Sequence, residues 1–104
     1  FLAEEEILYI EQINRKACIH QNNGVSITLN DTLKNLEQIF SKDKFFRCHQ
    51  SFLVNLNYIE GIRVENGGNV FFLQLHGCQD CIPLSRKAYP ELKKCLKAHG
   101  IWFH

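Results

Sequence analysis

No apolar run in this chain approaches the roughly 20 residues that a membrane-spanning helix needs, so none is expected within it. Its six glycines are scattered, and no glycine-rich phosphate loop exists to cradle a nucleotide. The five histidines and eleven carboxylates show no nucleophile–base–orienter pattern, so no enzyme and no cofactor are expected. Methionine is absent altogether, even from the first position. A fragment of a longer protein is therefore expected, with its regulation carried elsewhere. Phe1-Leu2-Ala3 runs straight into Glu4-Glu5-Glu6, unlike the basic start and longer apolar core of a secretory signal. Together with an odd number of cysteines, five, this points to reduced thiols and a cytoplasmic location.

The 104 residues suffice for a single domain around one core, and 45% hydrophobic content predicts a packed globule rather than disorder. A net charge of only +1 argues weakly against bulk polyanion binding, but its distribution is uneven. Residues 1–52 hold six Lys/Arg against seven Asp/Glu, and residues 53–104 hold six against four. Between Ser85 and Gly100, Arg86, Lys87, Lys93, Lys94 and Lys97 are opposed only by Glu91. Such a face suits phosphates, although the last three lysines read equally well as a solvated helix surface.

The pattern predicts a mainly β fold with two short helices. Ile7-Leu8-Tyr9-Ile10 and Ala17-Cys18-Ile19-His20 are strand candidates, joined through the polar, basic Asn14-Arg15-Lys16. Gln21-Asn22-Asn23-Gly24 is a turn, and Val25 to Leu29 alternates with period two. Helical spacing of Leu33, Leu36, Ile39 and Phe40 behind Asn30-Asp31-Thr32 predicts a helix over 32–40. Strands follow at Phe45–His49, Tyr58–Val64, Asn69–Leu75 and Cys81–Leu84, with Pro83 fitting a sheet edge. Asn55-Leu56-Asn57 reads as a turn or a helical turn, and Glu65-Asn66-Gly67-Gly68 as a hairpin turn. A C-terminal helix lies within 86–99, beginning either after Ser85 or at Tyr89 with Pro90 in its first turn.

The stretch from Phe45 to Asn55 carries the most information. It holds Arg47, His49, Gln50 and Ser51 between the apolar anchors Phe45-Phe46 and Phe52-Leu53-Val54. Pro83-Leu84-Ser85-Arg86-Lys87 repeats the arrangement just ahead of the C-terminal helix. Together they place basic and amide side chains on short segments, as a reader of nucleic acid requires.

Glu5-Glu6-Ile7-Leu8-Tyr9-Ile10-Glu11, Leu33-Lys34-Asn35-Leu36-Glu37, the Phe45–Asn55 segment and Leu84-Ser85-Arg86-Lys87 occur in that order. The set resembles the LytTR family of DNA-binding domains over roughly residues 4–97, nearly the whole chain. Its most specific part is Arg-x-His-x-Ser-x-Leu-Val-Asn. The resemblance implies elongated, mostly antiparallel β-sheets whose loops, rather than a recognition helix, enter DNA major grooves. It implies a bacterial transcriptional regulator, usually a two-component response regulator with an upstream receiver domain. Its partner would be double-stranded promoter DNA at repeated sites, bound as a dimer.

Carried over by position, base reading falls to Asn14, Arg15 or Lys16, to Gln50 and to Arg86. The fork of Arg86 fits guanine O6 and N7, a contact giving about 1–3 kcal/mol of discrimination. The alternative is a surface arginine held by a carboxylate. Gln50 offers the donor–acceptor pair that adenine N6 and N7 require, or is an ordinary loop amide. Arg15 and Lys16 can reach a base or a phosphate, or form a solvated turn. Ser51, Ser85 and Lys87 are phosphate-binding candidates, with Arg47 placed either among them or on the sheet's inner face. A structural hydrogen bond suits His49.

The cysteines raise two further readings. Cys78-Gln79-Asp80-Cys81 has the spacing of half a zinc site, which Cys95 and His99 would have to complete; Cys95 reads more simply as core. Cys48 and Cys81 each sit near a reader, so a disulfide between them would shift both. A rival overall reading is a β-rich protein-interaction or dimerisation module, supported by the apolar Ile101-Trp102-Phe103 tail and the low net charge.

Overall fold

The computed structural model describes residues 3–98. Eight strands and two helices follow one another: β1 Ile7–Ile13, β2 Lys16–Gln21, β3 Ser26–Leu29, α1 Leu33–Ile39, β4 Phe45–His49, β5 Phe52–Asn55, β6 Ile59–Glu65, β7 Val70–Leu75, β8 Cys81–Leu84 and α2 Tyr89–Ala98. Every strand pairing is antiparallel. One sheet has the order β3-β2-β1-β5-β4 and the other β6-β7-β8. The molecule is drawn out along one axis, 37 × 28 × 25 Å.

The five-stranded sheet is buried on both faces, and alternation along its strands sorts residues between two cores. Ile10, Ile19, Phe45 and Leu53 meet Leu33 and Leu36 of α1 on one face. Tyr9, Cys48 and Val54 meet Leu73, Leu75, Ile82 and Leu84 of the smaller sheet, with Leu92 and Leu96 of α2, on the other. Single-domain size therefore accommodates two clusters around one central sheet, where the sequence predicts one core.

Most predicted elements are present, with local differences. The Thr32 hydroxyl caps α1 by accepting from the Asn35 amide at 3.2 Å. Of the two starts open for the C-terminal helix, the structure takes the later, at Tyr89 with Pro90 in the first turn. There the missing N–H of proline leaves no helical bond unmade. Pro83 sits in the edge strand β8, opposite Phe72. The run beginning at Phe52 is itself a strand, closed by a 3-10 turn over Leu56–Tyr58. His99, Gly100 and the Ile101-Trp102-Phe103 tail lie outside the described residues.

Candidate nucleic-acid interface

Three short connections meet at one end of this scaffold. In the first, β1 and β2 are joined so tightly that Ile13 pairs with Lys16, leaving Asn14 and Arg15 to make the turn. Asn14 takes φ 58°, a conformation asparagine tolerates better than most residues. Asn14, Arg15 and Lys16 are all exposed. Gln12 holds this hairpin from behind: its Oε1 accepts from the Leu33 amide at the start of α1 at 2.7 Å, and its Nε2 donates to Asn14 O at 3.4 Å.

The second connection is Gln50-Ser51, between β4 and β5. A bulge at Cys48 precedes it, since Arg47 pairs with Leu53 and His49 already with Phe52. Bulges re-aim neighbouring side chains, and here the bulge immediately precedes the turn. The turn is fixed on three sides. His49 Nδ1 accepts from the Ser51 amide at 3.1 Å, which places the neutral ring's proton on Nε2. The Gln12 amide donates to Ser51 O at 2.8 Å, tying this turn to the strand that carries the first hairpin. Arg47 donates to His49 O at 3.1 Å and to Gln50 O at 2.6 Å.

The third is Ser85-Arg86-Lys87. The Ser85 amide donates to Cys48 O at 2.8 Å, joining the end of β8 to the end of β4. The Ser85 hydroxyl accepts from the Ala88 amide at 3.1 Å. With the Ser85 carbonyl also receiving the Tyr89 amide, the chain turns sharply into α2. Arg86 and Lys87 project from that turn, exposed. A hollow of about 270 Å³ lined by His49, Gln50, Ser85 and Lys87 joins the second and third connections.

Among the described residues, no hydrogen bond or ion pair engages the side chains of Asn14, Arg15, Lys16, Gln50, Arg86 or Lys87. Four cations and two amides are thus left free on three braced turns. The model of the LytTr DNA-binding domain matches residues 1–97. The chain belongs to the LytTR family.

Relatives and structure agree with that assignment. The chain is 30% identical over 93 residues to the sensory transduction protein LytT of Bacillus cereus, covering 89% of this chain and 37% of that protein. It is 29% identical over 98 residues to the transcriptional regulatory protein BtsR of Salmonella typhi, covering 86% and 39%. The chain thus spans less than two-fifths of the length of these relatives. Its fold is similar to the solved LytTr DNA-binding domain of a Bacillus cereus protein described as a methyl-accepting/DNA response regulator. The TM-score is 0.79 at 26% identity, over 91% of this chain and 84% of that one.

Two sequence expectations change once side chains are placed on this LytTR domain. Arg47, open between phosphate binding and the inner face, is turned to the α1 side. Besides the two carbonyls, its Nη1 meets Glu37 Oε1 at 2.7 Å, so every nitrogen of its fork has a partner. Strand periodicity could not separate these roles, because the deciding partner, Glu37, lies on another element. Cys48 and Cys81 are not brought together either. Cys48 belongs to the core cluster with Ile82 and Leu84, whereas Cys81 alternates to the opposite face of β8, where Arg63 Nη1 lies 3.8 Å from its sulfur. Both thiols are free.

Burial pushes the Cys48 thiol up to about 12, against smaller opposing effects of a backbone hydrogen bond and the Arg47 charge. Only the thiolate reacts, so at pH 8 about one molecule in ten thousand would be competent even if reagent could enter. Labelling of the native LytTR domain with an aromatic disulfide at pH 8 is therefore expected to spare Cys48 and to reach it at the rate of unfolding. Fast stoichiometric labelling of Cys48, read by peptide mapping, would contradict this burial. As for zinc, the described residues contain no group of three or more metal-ligating side chains, and His99 lies outside them.

Proposed function

We propose that this domain binds double-stranded promoter DNA sequence-specifically, with its three turns entering major grooves. Arg86 and Gln50 read base edges, and the Asn14–Lys16 hairpin supplies a further base or phosphate contact. Ser51, Ser85 and Lys87 bind phosphate oxygens and set the register. The domain is the output part of a bacterial transcriptional regulator of the response-regulator type. It works in the cytoplasm, controlled by a receiver domain elsewhere in the protein, and binds repeated sites as a dimer. The observation that carries this reading is the convergence of the three turns. Backbone hydrogen bonds of 2.8 Å, Gln12 to Ser51 and Ser85 to Cys48, lock them to one another while their reading side chains stay unpaired.

Selection of binding sites from a random duplex pool tests the reading. A defined motif should emerge, bound far more tightly than random duplex, with affinity falling steeply as salt rises. A pool that stays random, with weak salt-independent retention, would rule out a DNA reader and leave a protein-interaction module. Lys16→Ala is expected to weaken selected and random duplexes by similar factors. It should also flatten the log–log salt slope by about 1, because one phosphate contact releases about one counterion. An unchanged slope would remove Lys16 from the phosphate contacts.

A further inference from the structure

The Gln50 turn is held by an ion pair whose second member lies on a different element. Glu37 sits in the last turn of α1, beside Leu36, which packs against the sheet. Arg47 leaves β4 on the same side of the sheet as Phe45 and Leu53, both of which lie under α1. The two meet at 2.7 Å, and the remaining arms of the guanidinium take the carbonyls of His49 and Gln50. Both side chains are partly exposed, 39% for Glu37 and 30% for Arg47, so the pair contributes little to stability by itself. Its geometric consequence is larger. A planar fork with three acceptors at fixed positions cannot rotate without breaking all of them. The carboxylate selects one orientation of the fork, and the fork then fixes the carbonyl of the residue proposed to read a base.

We propose that Glu37, acting through Arg47, is a positioning residue for sequence recognition: it holds the Gln50 turn in its reading geometry without touching DNA. The proposal rests on the assignment of Gln50 as a reader. It takes Arg47 out of the phosphate-binding set and gives α1 a part in specificity. The same helix also braces the first hairpin, through the Leu33–Gln12 bond at its other end. A reader held this way meets its base without first paying the entropy of ordering its loop.

The test uses the 104-residue chain and a duplex selected from a random pool. Glu37→Ala is expected to lower affinity for the selected duplex on the order of tenfold, the scale of one mismatched base pair. Affinity for random duplex should stay nearly unchanged. Arg47→Lys keeps the charge and loses the fork, and should show the same selective loss. In a Gln50→Ala background, Glu37→Ala should have no further effect. Equal losses on both duplexes, parental behaviour of Arg47→Lys, or a Glu37→Ala penalty that persists without Gln50 would overturn the proposal. If Gln50→Ala alone changes nothing, Gln50 is not a reader. The clamp is then judged in the free protein by the amide order parameter of Gln50. It should drop from about 0.85 in the parent to below about 0.6 in Glu37→Ala, and an unchanged value sinks the clamp.

Discussion

Arg86→Ala is expected to lower affinity for the selected duplex by about 5- to 150-fold, the range spanned by 1–3 kcal/mol, while random duplex loses only the modest contribution of one charge. The side chain is exposed and unpaired among the described residues, so its loss should leave folding within about 0.5 kcal/mol of the parent. The turn that carries it is set by backbone and by Ser85: the Ser85 amide on Cys48 O, and the Ser85 hydroxyl and carbonyl on the first amides of α2. None of these bonds involves the arginine side chain. Arg86→Lys separates charge from shape. It should retain the salt slope and the random-duplex affinity and still lose most of the discrimination, because an ammonium cannot present two parallel donors to guanine. Equal losses on selected and random duplexes for Arg86→Ala, or full discrimination in Arg86→Lys, would refute base reading by this residue.

The low net charge is no obstacle to such binding. Several carboxylates are already engaged: Glu37 with Arg47, Glu65 with Arg63, Glu4 and Glu5 with Lys44. Among the described carboxylates, Glu91 alone lines the hollow beside Gln50 and Lys87. Against that one carboxylate the three turns expose Arg15, Lys16, Arg86 and Lys87, a local excess of positive charge within an almost neutral chain.

Elements whose cause is local were legible in the sequence. Thr32 with Leu33 and Leu36 specifies α1, and Asn22-Asn23-Gly24 marks a turn, because caps, periodicity and turn chemistry act within a few residues. The exposure of the candidate readers was legible too, since a polar tip between apolar anchors has nowhere to go but out. What escaped was set by partners distant in the chain. Phe52–Asn55 reads as an apolar run, and only pairing with both β1 and β4 makes it an interior strand of a sheet. Gln12 and Glu37 look like polar surface residues of a strand and a helix. Their roles depend on contacts to Leu33 and Arg47, 21 and 10 residues away. Cys48 and Cys81 lie close to the reading turns in sequence, but alternation along β8 sends the second sulfur to the far face.

The same segment that presents Gln50 ends in an amide with the opposite role, and Asn55→Ala should show it. Asn55 is 1% exposed. Its Nδ2 donates to Ile7 O at 2.8 Å and to Glu4 O at 3.2 Å, and its Oδ1 accepts from the Asn57 amide at 3.0 Å. One side chain thus joins the end of β5 to the start of β1 and begins the 3-10 turn leading to the smaller sheet. Alanine removes all three bonds and strands the Ile7 carbonyl in the interior, while the Glu4 carbonyl and the Asn57 amide lie nearer the surface. The stranded carbonyl costs about 1–3 kcal/mol and each of the two outer bonds contributes about 0.5–1.5 kcal/mol, so the expected total is about 3–4 kcal/mol. That is a large share of the roughly 5–15 kcal/mol that holds a domain folded. At roughly 4–8 °C per kcal/mol, the melting temperature should fall by about 12–30 °C. The ratio of selected to random affinity, measured below the new transition, should stay at the parental value, because the reading turn keeps its bonds to Arg47, His49 and Gln12. A melting temperature within a few degrees of the parent would show that the Asn55 bonds are dispensable. A fall in discrimination without a fall in stability would place Asn55 with the readers, against its burial.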